Sequence, residues 1–400
     1  MKKLVLLLLA LSAVAGYAQT PKFQHVVVVL QENRTPDNLF QGLCTAPYGN
    51  SKSCSTTPGS GQYNIQIGNW LDSSSSTGVT QPKAVPLVNT YDLSHTHPSF
   101  TLQCHMVNGK CLMDQSWKVA CLPAANTICP AKPQYAYVDN STGRLNPYLN
   151  LATTYGFANM MMQTNQGPSF PAHLYMFGGT SAPDASGDAK AIFAAENRAN
   201  GCTAPAGAKV ALITPTTKES TSTFPCFEHQ TMGELLNSAN KTWKYYTPNS
   251  GSLWTAPNAI QHICVPTPTT TTTGKCTGAM WIAHLDLNPK DFLIDIANCQ
   301  LPNVSWVIPT MANSDHAPTA GGGPSWVGSI VNAIGQSACK NADGSSYWNS
   351  TAIIITWDDW GGWYDHVPAT ILPGIQGDYQ YGFRVPLIVV SKFTPHILDN

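Results

Sequence analysis

Acids stand out in this chain because it carries so few. Only 11% of its 400 residues are Asp, Glu, Lys or Arg, against roughly 25% in ordinary soluble domains, yet polar groups gather where apolar runs stop. Glu32 and Asn33 follow "HVVVVLQ", Asp315 and His316 close "NVSWVIPTMANSDH", and Asp358 and Asp359 follow "TAIIITW". Adjacent carboxylates raise one another's pKa unless a positive charge intervenes. A metal ion is the simplest such charge. Glu32, Asn33, Asp358 and Asp359 offer only oxygen donors, a set that favours one hard divalent cation, Mg²⁺, Ca²⁺ or Mn²⁺, over zinc. The plainer alternative has Asp358 capping the turn at Gly361-Gly362 while Asp359 faces water.

"QTNQGPSFPAHLYMFGGTS" (163–181) supplies a candidate nucleophile. Ser169 lies between two prolines and just before a helical pattern, so its oxygen would sit at a helix N-terminus, where backbone N–H groups favour an anion such as phosphate. A metal on that hydroxyl would lower its pKa. An ordinary N-cap serine is the alternative. In "YDLSHTHPSF" (91–100), His95 and His97 occupy alternate positions. On an extended segment both would face one way, toward a phosphoryl oxygen or a leaving group that needs a proton. His366 would bind substrate or hold its turn, and its neighbour Asp365 reads as structural.

The elements that must position these groups are short and apolar. Residues 25–33, 303–316, 351–359 and 383–391 carry continuous β-branched runs, which suit strands covered on both faces. Residues 230–243 and 325–338 carry helical patterns between them. Alternation of this kind predicts a three-layer α/β/α sandwich with a mainly parallel central sheet. Ligands in such sheets bind beyond the carboxyl ends of strands, so the three polar strand exits are expected to converge on one crevice. Two Ser/Thr/Pro-rich stretches, 71–82 and 265–278, read as surface excursions.

A formal net charge of −1 leaves no overall basic field of the kind that draws nucleic acid or an anionic membrane. The start, "MKKLVLLLLALSAVAGYAQ", has a basic end, an apolar run and small residues, the pattern of a secretory leader cut after Ala18. No apolar stretch reaches the ~20 residues of a membrane span. Twelve cysteines in a secreted or periplasmic protein read as disulfides. Spacing leaves their connectivity open; pairing neighbours in order gives 44 with 54, 104 with 111, 121 with 129, 202 with 226, 264 with 276 and 299 with 339. Residues 19–400 show no composition shift that cuts a second domain.

Taken together, "VVVVLQENRTPDNLFQG", "GPSFPAHLYMFGGTS", "LPNVSWVIPTMANSDHAP", "AIIITWDDWGGWYDHVP" and "YGFRVPLIVVS" resemble the phosphoesterase family that contains bacterial phospholipases C and acid phosphatases of the alkaline-phosphatase-like superfamily. The resemblance spans about residues 25 to 391. It implies metal ligands at Glu32, Asn33, Asp358 and Asp359, a nucleophile at Ser169, and phosphate binding or leaving-group protonation by His95 and His316. Asn33 would also touch the phosphoryl oxygens, and His97, Asp315 and His366 are further candidates for binding substrate. Many relatives carry a histidine where this chain has Trp360, and they continue through another helix-forming segment past the point where this chain stops.

The leading expectation is therefore a secreted, metal-dependent phosphoesterase acting on phosphate esters, phospholipids among them. Two other readings share the residues: a non-catalytic exported binder holding a structural calcium ion, and a sulfatase or phosphotransferase on the same scaffold. Oligomeric state leaves no mark in the sequence.

Overall fold

A computed structural model describes residues 23–185, 201–213, 219–267, 274–372, 380–396 and 398–399. The expected leader and the centre of the threonine-rich stretch, 268–273, lie outside them. The central sheet has eight strands: His25–Gln31 (β1), Gly156–Ala158 (β2), Trp243–Tyr246 (β3), Leu285–Asp286 (β4), Val304–Val307 (β5), Thr351–Trp357 (β6), Leu387–Val390 (β7) and Leu398–Asp399 (β8). Their spatial order is β4-β3-β5-β1-β6-β7-β2-β8. All run parallel except β7, which pairs antiparallel with both β6 and β2.

Register decides what this sheet presents. β1 pairs with β6 along its whole length, from His25 opposite Thr351 to Gln31 opposite Trp357. Glu32-Asn33 and Asp358-Asp359 therefore leave the sheet side by side. β5 flanks β1 on its other side, with Val29 opposite Val307, so the third polar exit comes off the same edge. The fourth apolar run behaves differently. Because β7 is reversed, with Leu387 opposite Thr356, it brings the residues that precede it, Phe383 and Arg384, to that edge.

Helices that cover the two faces include α1 (Asn146–Thr154), α2 (Ser169–Gly178), α3 (Met232–Ser238), α4 (Asp291–Ala297) and α5 (Gly323–Gly335). Strand side chains alternate between the faces. Val27 and Val29 enter one core with Leu149 of α1, Phe292 of α4 and Val327 of α5. Leu30 enters the opposite core with Phe170, Leu174 and Phe177 of α2. Both faces are buried, which is why β1 and β6 read as unbroken apolar runs. The stripe Val327, Ile330, Val331 and Ile334 fixes the inward face of α5.

The helix expected over 230–243 is shorter. Thr231 and Glu234 form a capping box at its start, but Asn240 takes a left-handed conformation (φ 52°), and Trp243 already begins β3. All six disulfides join sequence neighbours: Cys44–Cys54, Cys104–Cys111, Cys121–Cys129, Cys202–Cys226, Cys264–Cys276 and Cys299–Cys339. No helix among the described residues is long and apolar enough to cross a membrane.

One buried ion network pins the edge where the polar exits meet. Arg384 donates from Nε to Asp365 Oδ1 and from Nη2 to Asp365 Oδ2, both at 3.0 Å, and from Nη1 to the carbonyls of Asn64 and Asn159 at 2.7 and 2.9 Å. Asp37 lies 3.4 Å from Nη2. Removing the guanidinium would leave buried Asp365 without its bidentate cation, and breaking such a pair typically costs about 3–5 kcal/mol. Arg384→Met should lower the unfolding free energy by that order, read from chemical denaturation followed by circular dichroism.

Candidate active site

The strand exits are knitted together by backbone bonds before any side chain acts. Asp358 N donates to Gln31 O at 3.0 Å and Arg34 N to Asp359 O at 3.0 Å. Asn33 turns out of β1 in a left-handed conformation (φ 62°), which asparagine tolerates better than most residues. Its own N–H then donates to Asp358 Oδ1 at 3.0 Å. Gly361 closes the far side of the turn, at φ 63°. A Cβ there would stand 2.5 Å from Asn33 O, so only glycine fits. Its N–H donates to Asp359 Oδ1 at 2.7 Å, which orients that carboxylate.

Helix α2 brings in the remaining groups. Ser169 begins it after Pro168, with Oγ 3.2 Å from Glu32 Oε2 and 3.4 Å from Asp359 Oδ2. One turn later His173 places Nε2 2.8 Å from Glu32 Oε1 and 3.9 Å from Asp358 Oδ2. Glu32, Asn33, Asp358, Asp359 and His173 are all fully buried, and Ser169 is nearly so.

His95 approaches from the opposite side. Its Nδ1 lies 2.7 Å from Leu93 O, and a carbonyl can only accept, so Nδ1 carries the proton. Neutral His95 therefore offers a bare Nε2, to which the Asn33 amide donates from Nδ2 at 3.3 Å. This holds the Asn33 amide so that Oδ1 is the atom left over. His316, its Nδ1 donating to Ala317 O at 2.6 Å, stands 5.7 Å from the His95 ring and 5.9 Å from that of Trp254. Trp254 also stacks on His173, 6.5 Å between centroids.

The electrostatics follow from burial. Glu32 is pushed well above the usual carboxylate range, chiefly by burial and then by the charges of Asp358 and Asp359. Burial lowers His173 to about 4 against the pull of Asp358, so its imidazole is neutral near pH 7. For Asp358, burial acts upward, but His173 and the hydrogen bonds it receives hold the carboxyl below its ordinary value. His316 is lowered, by burial first.

Two buried oxygens in this cluster, Asn33 Oδ1 and Asp358 Oδ2, have no hydrogen-bond partner. Buried polar atoms are rarely left so. Carboxyls crowded at one point together with unpartnered oxygens fit a bound cation, and the ligand atoms of Glu32, Asp358 and His173 all lie within 4.8 Å of one another.

A family model described as the phosphoesterase family matches residues 23–397. The chain belongs to that family. Phospholipase C A of Mycobacterium tuberculosis is 32% identical over 128 residues, which are 26% of this chain and 23% of that protein. Hemolytic phospholipase C of Pseudomonas aeruginosa is 22% identical over 288 residues, 63% of this chain and 36% of that protein. The chain thus spans well under half the length of the relatives it matches. A solved structure of a protein in the alkaline phosphatase superfamily from Vibrio parahaemolyticus aligns at 11% identity with a TM-score of 0.33, covering 64% of this chain and 56% of that one.

Within this member of the family the structure brings together Glu32, Asn33, Ser169, Asp358, Asp359, His95 and His316. Two other candidates point elsewhere. His97 opens the helix His97–Cys104 rather than continuing an extended segment, and its Nδ1 meets Glu219 Oε1 at 3.0 Å. His366 is held between Asp37 Oδ2 at 2.7 Å and Asn64 Oδ1 at 2.9 Å. Asp365 holds Arg384, as described above. Trp360 is buried, donates to Gln103 Oε1 at 2.9 Å and packs on Phe100 and Phe383. His173 and Trp254 escaped the sequence reading. Four-residue spacing from Ser169 on one helix was the available signal for His173; nothing local marks Trp254.

Asp315 braces the site from beneath. Its Oδ2 accepts from Tyr148 at 2.9 Å and Trp357 at 3.1 Å, while its backbone carbonyl accepts from Arg34 Nη2 at 2.8 Å. Gln31 links it to β1, accepting from Asp315 N at 2.9 Å. Burial raises the Asp315 carboxyl to about 6, although Arg34, Tyr148 and Trp357 act to lower it. An unfolded Asp titrates near ~3.9, so the native state binds this proton more tightly. Its contribution to stability is complete below about pH 4 and lost as pH rises to about 6, on the order of 3 kcal/mol. Asp315→Asn keeps an acceptor for Tyr148 and Trp357 and should flatten that part of the profile. Urea unfolding of both proteins at stepped pH measures the difference.

Proposed function

We propose that this chain is an exported, metal-dependent phosphoesterase that cleaves phosphate esters through Ser169, within a single catalytic domain over residues 19–400. The observation that carries the reading is the position of Ser169 Oγ, within 3.4 Å of Glu32 and Asp359 at the start of a helix. A nucleophile, carboxylates to take its proton and a helix N-terminus to meet phosphate share one point. Family membership over residues 23–397 supports it, as do the two relatives named as phospholipases C. The six disulfides suit an oxidising compartment outside the cytoplasm.

Glu32, Asn33, Asp358 and Asp359 would hold one divalent cation, and their oxygens favour Mg²⁺, Ca²⁺ or Mn²⁺ over zinc. Such an ion supplies positive charge that lowers the pKa of a bound hydroxyl and offsets charge on the phosphoryl group. The remaining work belongs to side chains. Ser169 Oγ loses its proton to a neighbouring carboxylate and attacks phosphorus in line with the ester oxygen. The P–O ester bond breaks, the alcohol leaves with a proton from the imidazolium of His316, and phosphoserine remains. Water attacks the phosphoserine, giving up a proton to the same histidine, and phosphate departs as Ser169 recovers its own. His95, by accepting from Asn33 Nδ2, keeps the Asn33 amide in place throughout. We assign His97, Asp315 and His366 to the scaffold, since each is engaged by Glu219, by Tyr148 and Trp357, or by Asp37.

Substrates are phosphate monoesters or the phosphodiester of a phospholipid head group. Purified protein should hydrolyse p-nitrophenyl phosphate or p-nitrophenylphosphorylcholine only with divalent metal present. Ser169→Ala should lose about 10³-fold or more of that rate while metal content, read by plasma mass spectrometry, stays near wild type. A folded, metal-loaded protein that turns over neither ester, or a Ser169→Ala variant that keeps its rate, overturns the assignment.

A further inference from the structure

The oxygen donors at the strand exits have a nitrogen neighbour. His173 Nε2 stands 2.8 Å from Glu32 Oε1 and 3.9 Å from Asp358 Oδ2, and the three groups' ligand atoms fall within 4.8 Å of one another. Its ring is wholly buried, with one face against Trp254 at 6.5 Å and an interplanar angle of 16°. Residues four apart on a helix share a face. Ser169 and His173 therefore lie on the same face of α2, and both reach the carboxylate cluster. Carboxylates and a carboxamide alone suit Mg²⁺ and Ca²⁺ as well as Mn²⁺, whereas imidazole nitrogen is a donor for transition metals.

We propose that His173 is a nitrogen ligand to the cation held by Glu32 and Asp358, and that it tunes the site to Mn²⁺ over Mg²⁺ and Ca²⁺. The inference rests on the metal-dependent reading above. It assigns to this chain's own helix a donor that the strand-exit motifs lack. The competing role is a positioning one, in which His173 Nε2–H donates to Glu32 and never meets the ion. Loss of either role could weaken metal binding by roughly 10–100-fold, so affinity alone does not separate them.

Pulsed electron paramagnetic resonance of the Mn²⁺-loaded protein does. The expected result is ¹⁴N modulation from a directly bound imidazole, present in wild type and in His95→Gln and absent in His173→Gln. Calorimetric titration should show the ratio of Mn²⁺ to Ca²⁺ affinity falling by roughly 10-fold or more in His173→Gln. Mn²⁺ that binds without ¹⁴N modulation, or modulation that survives His173→Gln, overturns the ligand assignment but leaves the phosphoesterase reading standing. Failure of wild type to bind any divalent cation overturns both. Should His173→Gln not fold, the double variant His95→Gln with His316→Gln, labelled with ¹⁵N-histidine, decides. Replacement of the ¹⁴N pattern by ¹⁵N supports the assignment, and an unchanged pattern or none overturns it.

Discussion

Carboxyl groups packed into a water-poor site at the ends of two neighbouring strands constrain everything else in this molecule. Charges so placed repel strongly at low dielectric, and Glu32 already sits well above its ordinary pKa. Backbone geometry still holds them in contact. Asp358 accepts the Asn33 N–H and Asp359 accepts the Gly361 N–H, so neither carboxylate can swing away. Such an arrangement stores electrostatic cost, which a cation bound among the carboxyls would offset.

The scaffold resists that repulsion in two layers. The first is the sheet itself, where β1 and β6 are paired from His25 to Gln31, and a slip of one residue would turn every apolar side chain to the wrong face. The second is a set of buried polar braces. Arg34 holds the Asp315 carbonyl, Gln31 joins β1 to the loop after β5, and Arg384 ties Asp365 to the carbonyls of Asn64 and Asn159. Satisfied networks of this kind rigidify a site, and incomplete ones are costly. Among the buried oxygens without a partner, Asn33 Oδ1 and Asp358 Oδ2 belong to the carboxylate cluster.

Histidines illustrate how environment assigns roles to one residue type. His95 is fixed as one tautomer by the Leu93 carbonyl, so its Nε2 accepts from the Asn33 amide nitrogen. His366 is clamped between Asp37 and Asn64, and His97 is turned aside because the chain becomes helical at that residue. Alternate positions in "SHTH" share a face only if the segment stays extended. Pro98 at the second helical position favours the helix instead.

Local chemistry alone determined a good deal. Unbroken β-branched runs required strands covered on both faces, the polar pairs that end them marked strand exits, and Gly361 after the acids made a tight turn necessary. Twelve cysteines called for disulfides, while their spacing left the pairing to the structure. Tertiary structure decided what depends on register and direction: that Gln31 and Trp357 stand opposite each other, that β7 runs backward and delivers Arg384, and that the short strands β2, β4 and β8 join the sheet at all. Two- and three-residue strands carry too little pattern to be read before their neighbours are known. His173 lies between these cases, since its spacing from Ser169 is written in the sequence. Its meaning is not, because only folding carries α2 across the sheet edge to set that imidazole against Glu32 and Asp358.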